Sequence, residues 1–254
     1  MPEFSPITWI IVVSAGLAAG FIDSIAGGGG MITLPVLLAA GLPPHLAVGT
    51  NKVQSIFGAA TAAWRYTVGG MVPWKRIRPG FLMSLLASGA GAWSVGAVDA
   101  GILERSIPFV LLGLWIYAAL RRELGEGEKP VRVPRSLFYP AAGALFGFYD
   151  GFLGPGTGSF WSISQVSFAG MNLKQATAAA KPLNFASNAG ALAVFLLTGD
   201  ALYPVGLTMA AGTIAGSWVG SHLVVRNQPR FIRPFILVVL AASAAKLLAD
   251  RYFP

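Results

Sequence analysis

The chain has no cysteine, only two histidines, and few charged residues. The lack of cysteine removes disulfides, thiolate metal sites and cysteine nucleophiles. His45 and His222 fall in separate halves with no second ligand at short spacing. Both therefore read as structural or interfacial side chains, and no metal is expected. Charged residues make up 11% of the chain, against about a quarter in soluble domains. Together with 55% hydrophobic residues and a mean hydropathy of +0.66, that scarcity excludes an ordinary soluble domain and indicates an integral membrane protein.

Other signatures are missing as well. No basic segment precedes the first apolar block, and no small-residue cleavage site leads into a polar mature domain, so the first span is expected to be retained. Neither glycine-rich stretch follows a strand or runs into Gly-Lys-Ser/Thr, which leaves no dinucleotide fingerprint and no phosphate loop. No serine–histidine or paired-histidine arrangement is present, no cofactor is implied, and an enzyme is not expected. Asp23 and Asp150 would formally suit an intramembrane protease, but their equivalence in a repeat and the nearby lysines favour a transport site.

Apolar sequence is present in span-sized blocks. A helix rising 1.5 Å per residue needs about 20 residues to cross hydrocarbon. Blocks of that order fall near 7–26, 45–68, 79–98 and 105–121, then near 136–153, 173–198, 202–223 and 231–249. Shorter pieces at 31–42 and 159–170 follow glycine clusters and are expected to be half-helices or re-entrant segments. The expected fold class is an all-α polytopic membrane protein with about eight long spans and two short broken segments.

The chain also repeats itself. Gly20-Phe21-Ile22-Asp23 leads into Gly27-Gly28-Gly29-Gly30, and 127 residues later Gly147-Phe148-Tyr149-Asp150 leads into Gly154-Pro155-Gly156-Thr157-Gly158. Lys52 and Lys181 match at an offset of 129, with Ser55 and Asn184 three residues further on. Ile107-Pro108-Phe109 matches Arg233-Pro234-Phe235, and Gly91 and Trp93 recur as Gly216 and Trp218. Two homologous halves follow, 1–125 and 126–254, joined by a basic loop at about 121–135.

A net charge of +8 would suit nucleic acid, but the basic residues are placed otherwise. Lys75, Arg76 and Arg78, then Arg121 to Arg135, then Arg226, Arg230 and Arg233 all lie in short connections flanking apolar blocks, the positive-inside pattern. The connection at 73–79 is basic while its counterpart near 199–204 carries only Asp200; the one at 99–105 is mixed while its counterpart at 224–233 is basic. Charge bias that swaps sides between halves predicts an inverted repeat, which needs an odd number of crossings per half.

Charged residues inside apolar blocks are the candidates for function. Each aspartate or lysine at the centre of a span opposes insertion by roughly 2.5–3.5 kcal/mol, so Asp23, Asp150, Lys52 and Lys181 would together oppose it by on the order of 10 kcal/mol if unpaired. They need partners or a wet cavity. Two acids and two bases could form plain structural ion pairs, but pairing alone would not require glycine clusters beside both acids. Gly28, Gly29 and Gly30, and likewise Gly156, Thr157 and Gly158, let the backbone leave the helix and open a new helix N-terminus, starting at Met31 and near Ser159, whose free N–H groups suit an anion. Close helix packing is the alternative use of such glycines. Lys181, Asn184 and Asn188, with Ser187 alongside, share one helical face, and Asn51, Lys52, Gln54 and Ser55 play the matching part in the first half. Pro182 is expected to place Lys181 at a helix start.

The stretches Gly20 to Gly30, Gly49-Thr50-Asn51-Lys52-Val53-Gln54-Ser55, Gly147 to Phe160 and Ala176 to Asn188 resemble the TauE/SafE family of sulfite and organosulfonate transporters, over nearly the whole chain. The resemblance implies a membrane transporter whose substrate is a small anion such as sulfite, sulfoacetate or a related organosulfur or carboxylate compound. Pro182 directly after the lysine departs from the expected pattern.

The resulting expectation is a secondary transporter in the bacterial cytoplasmic membrane working by alternating access at the repeat interface. Lys52 and Lys181 would attract the anion, the N–H groups of the glycine clusters would ligate it, and Asn51, Gln54, Ser55, Asn184 and Asn188 would select its shape. Asp23 and Asp150 would orient the lysines or take up protons. The partners implied are a small anionic substrate and the lipid bilayer, without nucleic acid, and with homo-oligomer formation open. A passive anion channel or a non-transporting membrane scaffold is the alternative.

Overall fold

The computed structural model describes residues 4–96, 112–113, 115–120 and 125–252. Among these the regular structure is helical throughout, with no strand. The first half holds α1 (Pro6–Ala26), α2 (Gly30–Ala39), α3 (Pro44–Val68) and α4 (Trp74–Trp93). The second holds α5 (Arg135–Phe152), α6 (Thr157–Phe168), α7 (Leu173–Thr198), α8 (Tyr203–Arg226) and α9 (Ile232–Tyr252). Most of the span expected at 105–121, including Ile107-Pro108-Phe109, lies outside the described residues; 112–113 and 115–120 are helical.

Local chemistry sets the ends of these helices. Ser5 caps α1, its hydroxyl accepting from the Thr8 N–H at 3.2 Å with Pro6 at the first helical position, and the Asn172 side chain caps α7 by accepting from the Gln175 N–H at 2.9 Å. α1 stops at Gly27, whose φ of +80° is open to glycine at little cost, and α6 starts from Gly156 at φ +85°. The two short segments are therefore half-helices that begin at the glycine breaks, as expected. α2 then folds back along α1, bringing Leu37 into one apolar cluster with Val12 and Ala15.

Pro182 does not start a helix. α7 runs without interruption from Leu173 to Thr198, which puts Lys181 mid-helix and corrects the expectation drawn from the proline. α4 and α5 likewise carry Pro79 and Pro140 in their interiors. A proline inside a helix is tolerated where neighbouring elements satisfy the freed backbone group, and local propensity alone does not see those neighbours.

Two close helix pairs, α1 with α8 and α4 with α5, cross between the halves. Small residues recur every four positions along them: Gly16 and Gly20 against Gly212, Gly216 and Gly220; Gly80, Ser84 and Ser88 against Gly143, Gly147 and Gly151. A Cβ at Gly147 would lie 2.7 Å from Ser84 Cα, and one at Gly220 would lie 2.6 Å from the Phe21 carbonyl oxygen. Larger side chains would push these backbones apart, so packing does explain these glycines.

The helix ends fall into two groups. At one end the Leu173 N–H donates to the Gly125 carbonyl at 2.8 Å, the Lys174 ammonium donates to the Val225 carbonyl at 2.6 Å, Arg230 pairs with Glu126 at 3.0 Å, and Gly69 sits beside Val225. At the other, the Leu202 N–H donates to Thr50 Oγ1 at 2.9 Å, Gly49 abuts the Asp200 carbonyl, and His45 and Trp93 face Asp200 across a cavity. Large apolar side chains such as Leu82, Leu86, Leu145, Leu207 and Val219 point outward between these ends. By length and composition α1 is the one helix among the described residues apolar enough to cross a membrane, at a mean hydropathy of 1.9. The other long helices carry glycine and the polar residues of the interior, which lower their averages.

Candidate functional site

The glycine breaks meet. A Cβ on Gly27 would lie 2.5 Å from Gly158 Cα, one on Gly158 would lie 2.6 Å from Gly27 Cα, and Ser159 Oγ donates to the Ala26 carbonyl at 2.8 Å. Backbone contact this close admits no side chain on either glycine. It brings the carboxyl-terminal turns of α1 and α5, and the starts of α2 and α6, to one region of the interior.

Each lysine there binds the aspartate of the other half. On α3, Lys52 Nζ donates to Asp150 Oδ1 at 3.0 Å and to the Asp150 carbonyl at 2.6 Å. On α7, Lys181 Nζ donates to Asp23 Oδ2 at 3.2 Å and also to the Asp23 carbonyl. Both lysines, and Asp150, are buried, while the Asp23 side chain keeps 20% exposure. The four charges sum to zero, so burial leaves no uncompensated ion.

The aspartates are held by different donors. Asp150 Oδ1 also accepts from Thr157 Oγ1 at 3.1 Å, and its Oδ2 accepts from Asn184 Nδ2 at 3.3 Å and from the Ser187 hydroxyl. Asp23 Oδ1 instead accepts the backbone N–H groups of Gly28 at 3.1 Å and Gly29 at 3.2 Å. The short helix in the first half begins at Gly30, not at Met31; the Asp23 carboxylate takes the N–H groups of the two residues just before it, and the Met31 and Ile32 N–H groups go to the Gly28 and Gly29 carbonyls. In the second half Gly156 makes no side-chain capping bond.

Between the pairs lies a cavity of about 30 Å³, on the order of one water's share of liquid volume. Asn51, Lys52, Gln54, Ser55, Asn184 and Asn188 line it, as do Gly28, Gly29, Gly30, Thr157, Gly158 and both aspartates. Lys181 and Gly156, expected with them, do not reach its wall; Lys181 stands behind Asp23 and acts on the cavity through it.

One polar cluster on the wall includes two residues that the motifs do not contain. The Thr213 hydroxyl donates to Gln54 Oε1 at 2.7 Å, Gln54 Nε2 donates to Asn51 Oδ1 at 2.8 Å and to Ser55 Oγ at 2.8 Å, and the Thr33 hydroxyl donates to Asn51 Oδ1. Thr33 is the one hydroxyl of α2 and Thr213 one of several on α8; the match of Thr213 to Ser84 at the repeat offset of 129 could have marked it. His222 is half-buried, its Nδ1 2.5 Å from Arg65 Nη2, whose guanidinium lies over the Trp218 ring at 4.3 Å. Among the described residues no cluster of metal-ligating side chains occurs.

No solved structure matches this chain. Curated relatives do. A probable membrane transporter protein of Sinorhizobium is 42% identical over 240 residues, covering 94% of this chain and 92% of the relative. A probable membrane transporter protein of Haemophilus influenzae is 38% identical, covering 95% and 94%, and the probable membrane transporter protein YfcA of Escherichia coli is 38% identical, covering 98% and 92%. The profile described as Sulfite exporter TauE/SafE matches residues 12–247, and with crossed lysine–aspartate pairs at its paired glycine breaks this chain belongs to the TauE/SafE family.

Proposed function

We propose that the chain is a secondary transporter, multi-pass in the bacterial cytoplasmic membrane, that moves a small anion by alternating access between two inverted repeats. Sulfite and organosulfonates are the substrate class assigned, in keeping with the family's description. The observation that carries the reading is the cavity between the Lys52–Asp150 and Lys181–Asp23 pairs, each of which joins one half to the other. Rocking one half against the other must part these pairs, so access to the cavity and the ion pairs change together.

The inversion has support from the grouping of helix ends. α3 runs from the Thr50–Leu202 end to the Gly69–Val225 end, while its counterpart α7 runs the opposite way, and α4 and α8 are likewise reversed. Each long helix before a break, with its half-helix, returns to the end from which it came. With the span expected at 105–121, each half would then cross three times, the odd number that inversion requires. Outward apolar side chains on α4, α5 and α8 suit contact with lipid.

The cavity is small, about 30 Å³, and partly open, with the Asp23 side chain on its wall 20% exposed, so binding an oxyanion of sulfur would require it to widen. The amide and hydroxyl groups of Asn51, Gln54, Ser55, Asn184 and Asn188 would select the anion as the site widens. Sulfite flux into proteoliposomes tests this: Lys52→Ala and Asp150→Asn are each expected to lower flux by about tenfold or more. Unchanged flux in both variants removes the assignment, and a large unitary current in electrical recording replaces the transporter by a channel.

A further inference from the structure

The two aspartates occupy equivalent places in the repeat but are held in different ways. Asp150 is clasped by side chains: Lys52, Thr157, Asn184 and Ser187. At offsets of 127 and 129 the last three correspond to Gly30, Ser55 and Gly58; two are glycines without a side-chain donor, and Ser55 bonds Gln54 rather than Asp23. Its Oδ1 lies instead on the Gly28 and Gly29 N–H groups, its Oδ2 lies on Lys181, and it is the more exposed of the two toward the cavity. Two backbone N–H groups and an ammonium converging on one anionic group are the donors an oxyanion would use.

We infer that the Asp23 carboxylate is a tethered competitor for the transported anion, which takes over its donors when Asp23 accepts a proton and swings away. This deepens the transport reading and rests on it. Charge balance supports the exchange. Lys52, Lys181, Asp23 and Asp150 sum to zero, and a bare monoanion added to them would leave one net negative charge in a buried site of low dielectric. Protonation of Asp23 restores neutrality, with the proton drawn from the water that carries the anion. No other acid there is equally placed: Asp150 would have to leave four side-chain donors and uncover Lys52.

Few charged or titratable groups face Asp23. Lys181 comes from α7, and Tyr66 comes from α3 with its hydroxyl donating to the Ser24 carbonyl at 2.7 Å. The Lys52–Asp150 pair lies across the cavity. From α6 come Gly158 and Ser159, from α8 Thr213 and Ser217, and from α9 Val239, none of them ionisable over the neutral range.

Anion binding to the detergent-solubilised wild-type protein tests the inference, with methanesulfonate as the probe because it does not titrate near neutral pH. Affinity is expected to rise as pH falls, by about tenfold per pH unit above the Asp23 titration, with about one proton taken up per anion in weak buffer. Asp23→Asn is expected to remove both the slope and the uptake while still binding the anion. Binding by the wild type with neither slope nor uptake overturns the inference and leaves the transport reading standing. Proton uptake needs no variant, so a misfolded Asp23→Asn does not remove the test. Failure of the wild type to bind methanesulfonate or sulfite at any pH overturns the transport reading, and this inference with it.

Discussion

Lys52 and Asp150 form an ion pair at 3.0 Å although 98 residues separate them, and the lysine also holds the aspartate's own carbonyl at 2.6 Å. One ammonium therefore does two things at once. It neutralises a buried carboxylate and satisfies a carbonyl near the end of α5, where the helix runs out of partners. Lys181 likewise holds Asp23 by carboxylate and carbonyl, though that carboxylate is partly exposed and that carbonyl also accepts the Gly27 N–H at 2.8 Å. Each pair therefore joins a helix of the first half of the chain to one of the second.

Removing one partner of a buried pair leaves the other uncompensated. Lys52→Ala is expected to destabilise the protein by about 3–5 kcal/mol, and Asp150→Asn by a similar amount. The double variant should lose much less than the sum of the two single losses, because the stranded charge is gone. Thermal unfolding in detergent across the full cycle checks this, and additive losses would show that the pair contributes nothing as a pair.

Gly27→Ala is expected to lose about 3 kcal/mol or more, because the new Cβ would lie 2.5 Å from Gly158 Cα in a turn that already has φ at +80°. Gly41→Ala separates strain from crowding. Its φ is +87° but nothing lies within 4 Å of the added Cβ, so only the left-handed backbone is penalised, by about 1–2 kcal/mol. Equal losses in thermal stability for the two variants would refute the close approach of the breaks.

Much of this was legible in the chain. α7 was expected at 173–198 and has those bounds, and both half-helices begin within two residues of their expected starts, because glycine clusters punctuate a sequence strongly. Lys52, Lys181, Asp23 and Asp150 stood out because charge in apolar sequence is costly. Which lysine meets which aspartate was not legible, since it depends on how the helices of the two halves pack together. That Asp23 takes the Gly28 and Gly29 N–H groups was hidden for a similar reason: free backbone donors ahead of a helix and donors taken by a carboxylate five residues back are written alike. Thr33 and Thr213 were missed because a hydroxyl in an apolar helix also satisfies its own backbone, as Thr213 does with the Met209 carbonyl at 3.1 Å.

Thr213→Val keeps the shape of the side chain and removes the donor to Gln54 Oε1. A buried acceptor left unpaired costs about 1–3 kcal/mol, and Thr213→Ser should restore most of it. Because Gln54 in turn holds Asn51 and Ser55, the valine variant is also expected to change the preference between sulfite and larger sulfonates in flux assays. A stability loss that serine does not rescue would point to packing of the methyl group instead.

Absence of native cysteine makes the inverted arrangement directly testable, since every introduced thiol reports on its own position. Lys75→Cys, in the first turn of α4, and Arg230→Cys, after α8, lie among the helix ends that gather around Val225 and Gly125. His45→Cys, in the first turn of α3, lies at the opposite end beside Asp200. All three positions are exposed, so substitution should leave the fold intact. An impermeant thiol reagent applied to intact cells should label either His45→Cys alone or the other two together. Positive charge at the Lys75 and Arg230 end predicts that this end faces the cytoplasm, so His45→Cys is the one expected to react from outside. Labelling of Lys75→Cys and Arg230→Cys from opposite faces would mean that the halves are parallel, and the crossed ion pairs would then need a different geometric origin.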